Sequence, residues 1–359
     1  MFKIKFTEIP EHPNKANLEF VGCPPEEFSE RFERFAGLYG IKVLLADDEL
    51  FKRPLKHRTK RICRFCKATY GDNEKFKSVA HLIPQLIGNT HLLSDFECDK
   101  CNILFSKYET DLANFLGVAR SMNIENAKKG KIKFKSPDKT FIVKKDIETE
   151  ANKAIPKLRL ESHENVQDHF TLDKENKKVT FHTHRHSYNP YHVYKAFLKM
   201  GLSIIPDQYV EDYEIALAML CSNKKNPTTN DPFLKLNMYS HPGPSFPSPS
   251  AILFEKKNKR DLMPMHIVCI MFHNYTYQLV LPLSKKDQSM YDGKTQITVP
   301  HMPPFIDTHF ANKYGNPKGH VLNFNTDKVV KGEKNDVTFS FEDYTDTWFT
   351  DDAIDKEED

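Results

Sequence analysis

Apolar residues along this chain follow two rhythms, and the changes between them mark out its elements. Near the start, MFKIKF alternates as a strand does. PPEEFSERFERFAG puts Phe28, Phe32 and Phe35 on one helical face, with Pro24 and Pro25 at its start and Gly37 at its end. IKVLL, residues 41–45, is an apolar run suited to a buried strand. VAHLIP reads as a short strand ended by Pro84, LIGN as a turn, and LLSDFE as a returning strand. From Cys101 the positions Phe105, Tyr108, Leu112, Phe115 and Ala119 recur every three to four residues, which predicts an amphipathic helix.

Further on, KIKFK and TFIVK alternate enough for a hairpin within a lysine-rich stretch. KVTFHTHRH alternates and ends in His182, His184 and His186. In NPYHVYKAFLKMGLSII, Val193, Phe197 and Met200 share a helical face, with Gly201 as the expected stop. Val210, Tyr213, Leu217 and Leu220 predict another helix. A Pro/Ser loop at 240–250 precedes AILFEKK, MHIVCIMFH and YTYQLVLPL, three strong strand candidates, with His273 and Asn274 as a turn between the last two. VTFSF fits a final strand. There is no internal repeat and no phosphate-loop or dinucleotide fingerprint.

Charge adds a partner class to this outline. The 359 residues carry a formal net charge of +3, unevenly spread. Glu342 to Asp359 holds nine acids against one lysine, so removing that −8 tail leaves +11 on the rest of the chain. A basic body suits a polyanionic partner, and the tail could fold back on it as a restraint. With 28% charged and 39% hydrophobic residues, the chain can bury a core. The first residues contain no long apolar run and no segment reaches the roughly 20 apolar residues of a membrane span, so a cytoplasmic protein is expected.

The cysteines bring in chemistry. Of seven, four form two Cys-x-x-Cys pairs, Cys63/Cys66 and Cys98/Cys101, with 31 residues between the pairs. Two such turns present four thiolates, the ligand set of a closed, structural zinc site. The gap exceeds that of common zinc ribbons, so something is inserted, here the two strands around His81. Cys23, Cys221 and Cys269 read as ordinary buried thiols.

The order CRFC, AHLIP, GN, ECDKCN and LFSKYE resembles the HNH, or ββα-metal, endonuclease superfamily over about sixty residues. It is similar to the branch with a His-x-x-Pro strand and a Cys-x-x-Cys-Asn helix start. The resemblance implies that His81 is the general base that activates water, and that Asn102 ligates a divalent cation, Mg²⁺ or Mn²⁺. A histidine of ordinary pKa suits deprotonation of water near neutrality. A hard cation suits the amide oxygen of Asn102. Many members carry an acid before the strand histidine, whereas this chain has Ala80; Asp95, Glu97 and Asp99 are the nearest replacements, with Glu97 carried as the candidate ligand. Asn89, or else His91, would orient His81. Glu109, two turns past Asn102 and roughly 10 Å away, suits a supporting role.

The expectation is therefore an α+β protein built from a small zinc-stabilised ββα-metal module and a larger α+β domain. Its stretches are an N-terminal element (1–60), the nuclease module (61–122), a basic connector (123–150), a C-terminal α+β domain for target recognition or sensing (151–341) and the acidic tail (342–359). Lys56, Arg58, Lys60 and Arg61 lead into the first cysteine pair and would grip phosphates, with double-stranded DNA as the expected substrate. His182, His184 and His186 fit a polar face, beside Arg185 and Lys195, better than a metal site. The resemblance also suggests anti-phage defence or a mobile element, and leaves a homodimer or accessory protein open. The competing readings are a non-catalytic zinc module that binds nucleic acid, and an HNH-type ribonuclease.

Overall fold

A computed structural model of the chain describes residues 2–5, 19–22, 24–52, 54–71, 75–123, 133–150, 153–162, 166–222, 232–258, 262–290 and 299–341. Cys23 and the acidic tail lie outside the described residues.

The described residues form a mixed α and β structure with five helices and five antiparallel sheets. In chain order the elements are β1 (Phe2–Lys5), β2 (Glu19–Gly22), α1 (Glu26–Leu38), β3 (Tyr39–Ala46), β4 (Ala80–His81), β5 (Leu93–Ser94) and α2 (Asp99–Asn123). Then come β6 (Lys133–Lys135), β7 (Phe141–Glu150), β8 (Lys153–Ser162), β9 (Phe170–Asp173), β10 (Lys178–His184), α3 (Pro190–Ile204) and α4 (Glu214–Cys221). The last are β11 (Lys235–Ser240), β12 (Ser250–Lys256), β13 (His266–Phe272), β14 (Tyr275–Val280), α5 (Thr308–Tyr314), β15 (Lys318–Asn323) and β16 (Lys334–Ser340).

The largest sheet has six strands in the order β15-β11-β14-β13-β12-β3. Strand side chains alternate between faces, and here both faces are covered. Along β13 all seven residues are buried. Val268, Ile270 and Phe272 join the core on the α3 side, while Ile267, Cys269 and Met271 join the core against Phe35 of α1. Leu253 and Phe254 of β12, and Val43 and Leu44 of β3, divide the same way. The apolar run at 41–45 is thus the edge strand of a sheet whose other strands come from residues 235–323.

Helix α3 lies between this sheet and α2, buried along nearly its whole length. Asn189 caps its start, its side chain accepting from the backbone N–H groups of Tyr191 and His192, with Pro190 in the first turn. Gly201 does not stop the helix, which continues to Ile204. A Cβ there would meet Leu281 Cδ2 at 2.6 Å, so this glycine serves the close approach of helix to sheet. The helix expected across 210–220 is divided: a tight turn of helix over Asp207–Tyr213, then α4.

Helix α2 begins at Asp99, two residues before the expected start, and kinks at Gly117 (φ 59°, ψ −141°). Beyond the kink, Val118 and Met122 pack on the sheets β6-β7-β8 and β16-β10-β9 through Phe134, Phe141 and Phe181. Among the described residues no helix is long and apolar enough to cross a membrane.

Candidate metal centre and active site

Cys63 and Cys66 stand on a tight turn closed by Lys67 N–H donating to the Cys63 carbonyl and Cys63 N–H donating to that of Ala68. Lys67 takes the left-handed conformation that this turn requires (φ 63°). Cys98 directly precedes α2 and Cys101 lies in its first turn. The four sulphur atoms lie within 4.8 Å of one another. Cys63 to Cys101 is 3.7 Å and Cys66 to Cys98 is 3.6 Å. A tetrahedron with zinc–sulphur bonds of about 2.3 Å has edges of about 3.8 Å, so donor type and spacing fit zinc. Cys66 is the exposed member and the other three are buried. Among the described residues this is the group of three or more His, Cys, Asp or Glu side chains able to hold a metal ion. Cys221, at the end of α4, lies against it: the Cys221 thiol interacts with Cys101 and sits 3.7 Å from the Phe65 carbonyl.

His81 ends β4, a strand of two residues paired with β5 through Ala80–Ser94 and His81–Leu93. The turn between them is built on Asn89, which is fully buried. Its Nδ2 donates to the carbonyls of Ile83 and Leu92 and lies 3.5 Å from His81 Nδ1; its Oδ1 accepts from Leu92 N–H at 2.9 Å. Gly88 supplies the left-handed step just before it (φ 102°). His91, the other candidate for orienting His81, turns away to Asp47, whose carboxylate also accepts from the backbone of Thr90 and His91.

Asn102 is the fourth residue of α2, half-buried, its N–H donating to the Cys98 carbonyl. Ala80 is buried. The acids around it have other partners. Asp95 Oδ2 accepts from Lys56 N–H, and Asp99 accepts from Ser78 N–H. Glu97 is buried and forms an ion pair with Lys199 of α3 at 3.3 Å, and Glu109 stands 3.9 Å from the same ammonium. Lys199 Nζ also donates to the backbone carbonyl of His81. Burial raises the Glu97 and Glu109 carboxyls above the ordinary carboxylate range, against the opposing pull of Lys199. The basic group beside Glu97 is thus the Lys199 side chain.

Lys56, Arg58 and Lys60 are exposed and Arg61 is half-exposed. The Lys56 backbone is anchored by Asp95, and Arg61 Nε donates back to the Lys56 carbonyl. The three histidines of the later segment part company. His182 and His184 face solvent on β10, with His182 near Thr171 and Asp336, while His186 lies past the strand and meets the Lys135 carbonyl. Arg185 pairs with Glu333. Lys195 is not on that surface: it is buried, with burial pushing it down to about 8, between the rings of Tyr108 and Tyr191.

The sequence pattern does not single out Lys199 or Arg64, and it reads Cys221 as an ordinary buried thiol, whereas that thiol is half-buried beside the cysteine cluster. One signal was present: two lysines four residues apart inside an otherwise apolar helix, which a buried helix does not carry without partners. No family model matches this chain, and neither a curated protein nor a solved structure matches it.

Proposed function

We propose that this protein is a metal-dependent nuclease of the HNH type that hydrolyses phosphodiester bonds, with DNA as its substrate. The observation that supports it is one of arrangement. His81 stands on the first of two short antiparallel strands. Asn89 fills the turn beside its ring, and Asn102 lies in the helix that starts at the second cysteine pair. The four thiolates would hold zinc as a structural centre, with no open position for chemistry.

In this reading His81 takes a proton from the attacking water, and Asn89 keeps the ring and its turn in place. Asn102 would hold a hard divalent cation, which supplies Lewis-acid polarisation of the scissile phosphate. Ala80 offers no ligand atom and Glu97 faces Lys199, so the donor set is lean. The exposed Lys56, Arg58 and Lys60 would contact flanking phosphates. That same lean donor set favours a second reading, a non-catalytic zinc module that binds nucleic acid.

The test offers supercoiled plasmid and a folded RNA to the protein with Mg²⁺ or Mn²⁺. Cutting of DNA that falls about 100-fold or more in His81→Ala and in Asn102→Ala is the expected result. Metal-dependent cutting that persists unchanged in His81→Ala removes His81 as the base. Cutting of RNA alone makes the protein a ribonuclease, and no cutting of either leaves the binding module.

A further inference from the structure

Helix α3 carries Lys195 and Lys199 one turn apart, both buried. Residues four apart share a helical face, and this face meets α2 and the site. The two ammonium groups have different surroundings. Lys195 donates to the Ser222 carbonyl at 2.7 Å and to Tyr108 Oη at 3.3 Å, away from His81. Lys199 reaches the His81 carbonyl, Glu97 and Glu109. The first is a hydrogen bond; the two carboxylates are ion-pair neighbours at 3.3 and 3.9 Å.

We infer that Lys199 is a positioning residue for the proposed reaction: it fastens the backbone at His81 to the central helix and so sets where the His81 ring stands. The geometry is independent of the nuclease reading, but the catalytic consequence rests on it. Two facts carry the inference. First, β4 is a two-residue strand with two paired positions, too short a ladder to hold a catalytic residue by itself. Other ties flank it: Leu82 N–H donates to the Leu92 carbonyl, and Asn89 grips the turn through the Ile83 and Leu92 carbonyls, while Lys199 donates to the His81 carbonyl. Second, taking an ammonium and a carboxylate out of water is costly, and an apolar residue of similar volume would hold α3 against α2 as well or better. What an apolar residue cannot do is donate to the His81 carbonyl. Glu97 and Glu109 hold the ammonium in place for that bond, so the acids that sequence reasoning considered as metal ligand and support act here through Lys199.

Lys199→Met removes charge and donor at similar length, and Lys199→Gln restores an uncharged donor. Three measurements are made on the full chain: zinc content with near-ultraviolet circular dichroism, amide hydrogen exchange of the segment 79–84, and kcat and KM for plasmid cleavage. In Lys199→Met, zinc and dichroism stay as in the wild type and the 79–84 segment exchanges faster. kcat falls about 10- to 100-fold while KM holds, and Lys199→Gln recovers part of both losses. Unchanged exchange in Lys199→Met overturns the inference, as does unchanged kcat in a chain that cuts. Loss of zinc and dichroism in both variants overturns it too, making Lys199 a general packing residue. If the wild type cuts nothing, the nuclease reading fails alone, and exchange still decides whether Lys199 anchors His81.

Discussion

The Arg64 guanidinium lies 2.6 Å from the Asp207 carboxylate and closes over the end of helix α3, donating to the carbonyls of Leu202, Ser203 and Ile205. It also stacks on the Phe96 ring at 3.8 Å. Arg64 is the residue after Cys63, so the first cysteine turn caps the central helix of the protein. Helix ends leave carbonyls without partners, and a cation there also meets the negative end of the helix dipole. The candidate metal centre and α3 are thereby one mechanical unit.

Removing that cap should therefore weaken the whole chain. Arg64→Leu is expected to cost about 3 kcal/mol, because several buried carbonyls lose a charged donor together. Asp207→Asn should cost under about 1 kcal/mol, since the Asp207 side chain is 73% exposed and its pair is screened by water. Urea unfolding of the two variants beside the wild type measures both.

Metal content is the most direct check on the cysteines. About one zinc per chain is expected after purification without added metal. Cys98→Ser should lose it together with near-ultraviolet dichroism from the surrounding aromatics, Phe65 and Phe105 among them. Cys269→Ser should keep it, since Cys269 lies in the core on the far side of the large sheet. Elemental analysis separates the two outcomes.

Asn89 should matter to stability as well as to activity. Asn89→Ala removes a buried donor–acceptor set that ties Ile83 and Leu92, leaving backbone groups unpaired, and should cost about 2–4 kcal/mol. Asn89→Asp keeps the acceptor to Leu92 N–H but sets a buried carboxylate oxygen against the Ile83 and Leu92 carbonyls, so at neutral pH it should be no more stable than the alanine variant in a denaturant melt.

Acid should destabilise the protein partly through His241. Burial pushes this histidine down to about 4, with Thr276 as its hydrogen-bond partner. The unfolded chain binds a proton near pH 6.5, while the folded chain refuses it until about pH 4. Stability is therefore unaffected by this group above pH 6.5 and falls as the pH drops through that window, by at most about 3 kcal/mol at its lower end. His241→Gln should shrink the loss between pH 7 and pH 5 by about 2 kcal/mol, read from urea midpoints at the two pH values.

The local rhythm of the chain determined much of this molecule by itself. β12, β13 and β14 were legible as strands because their apolar runs are bounded by turn residues, and α2 because its apolar positions keep a helical period from Phe105 to Ala119. The four cysteines were legible because each pair needs only one tight turn, which is a property of neighbours in sequence. The choice between Asn89 and His91 was not legible in the same way: both lie within ten residues of His81, and the fold brings Asn89 to its ring while His91 turns to Asp47.

What the tertiary structure alone decided lies in contacts between residues far apart. Gly201 reads as a helix stop until the sheet presses Leu281 against it. Lys195 reads as a surface lysine until two tyrosine rings enclose it. Glu97 reads as a candidate metal ligand until Lys199, from a helix about a hundred residues later, is brought to 3.3 Å. No local pattern encodes such a pair, because its stability comes from burying both charges together, and burial is set by the packing of α2 on α3 and the six-stranded sheet.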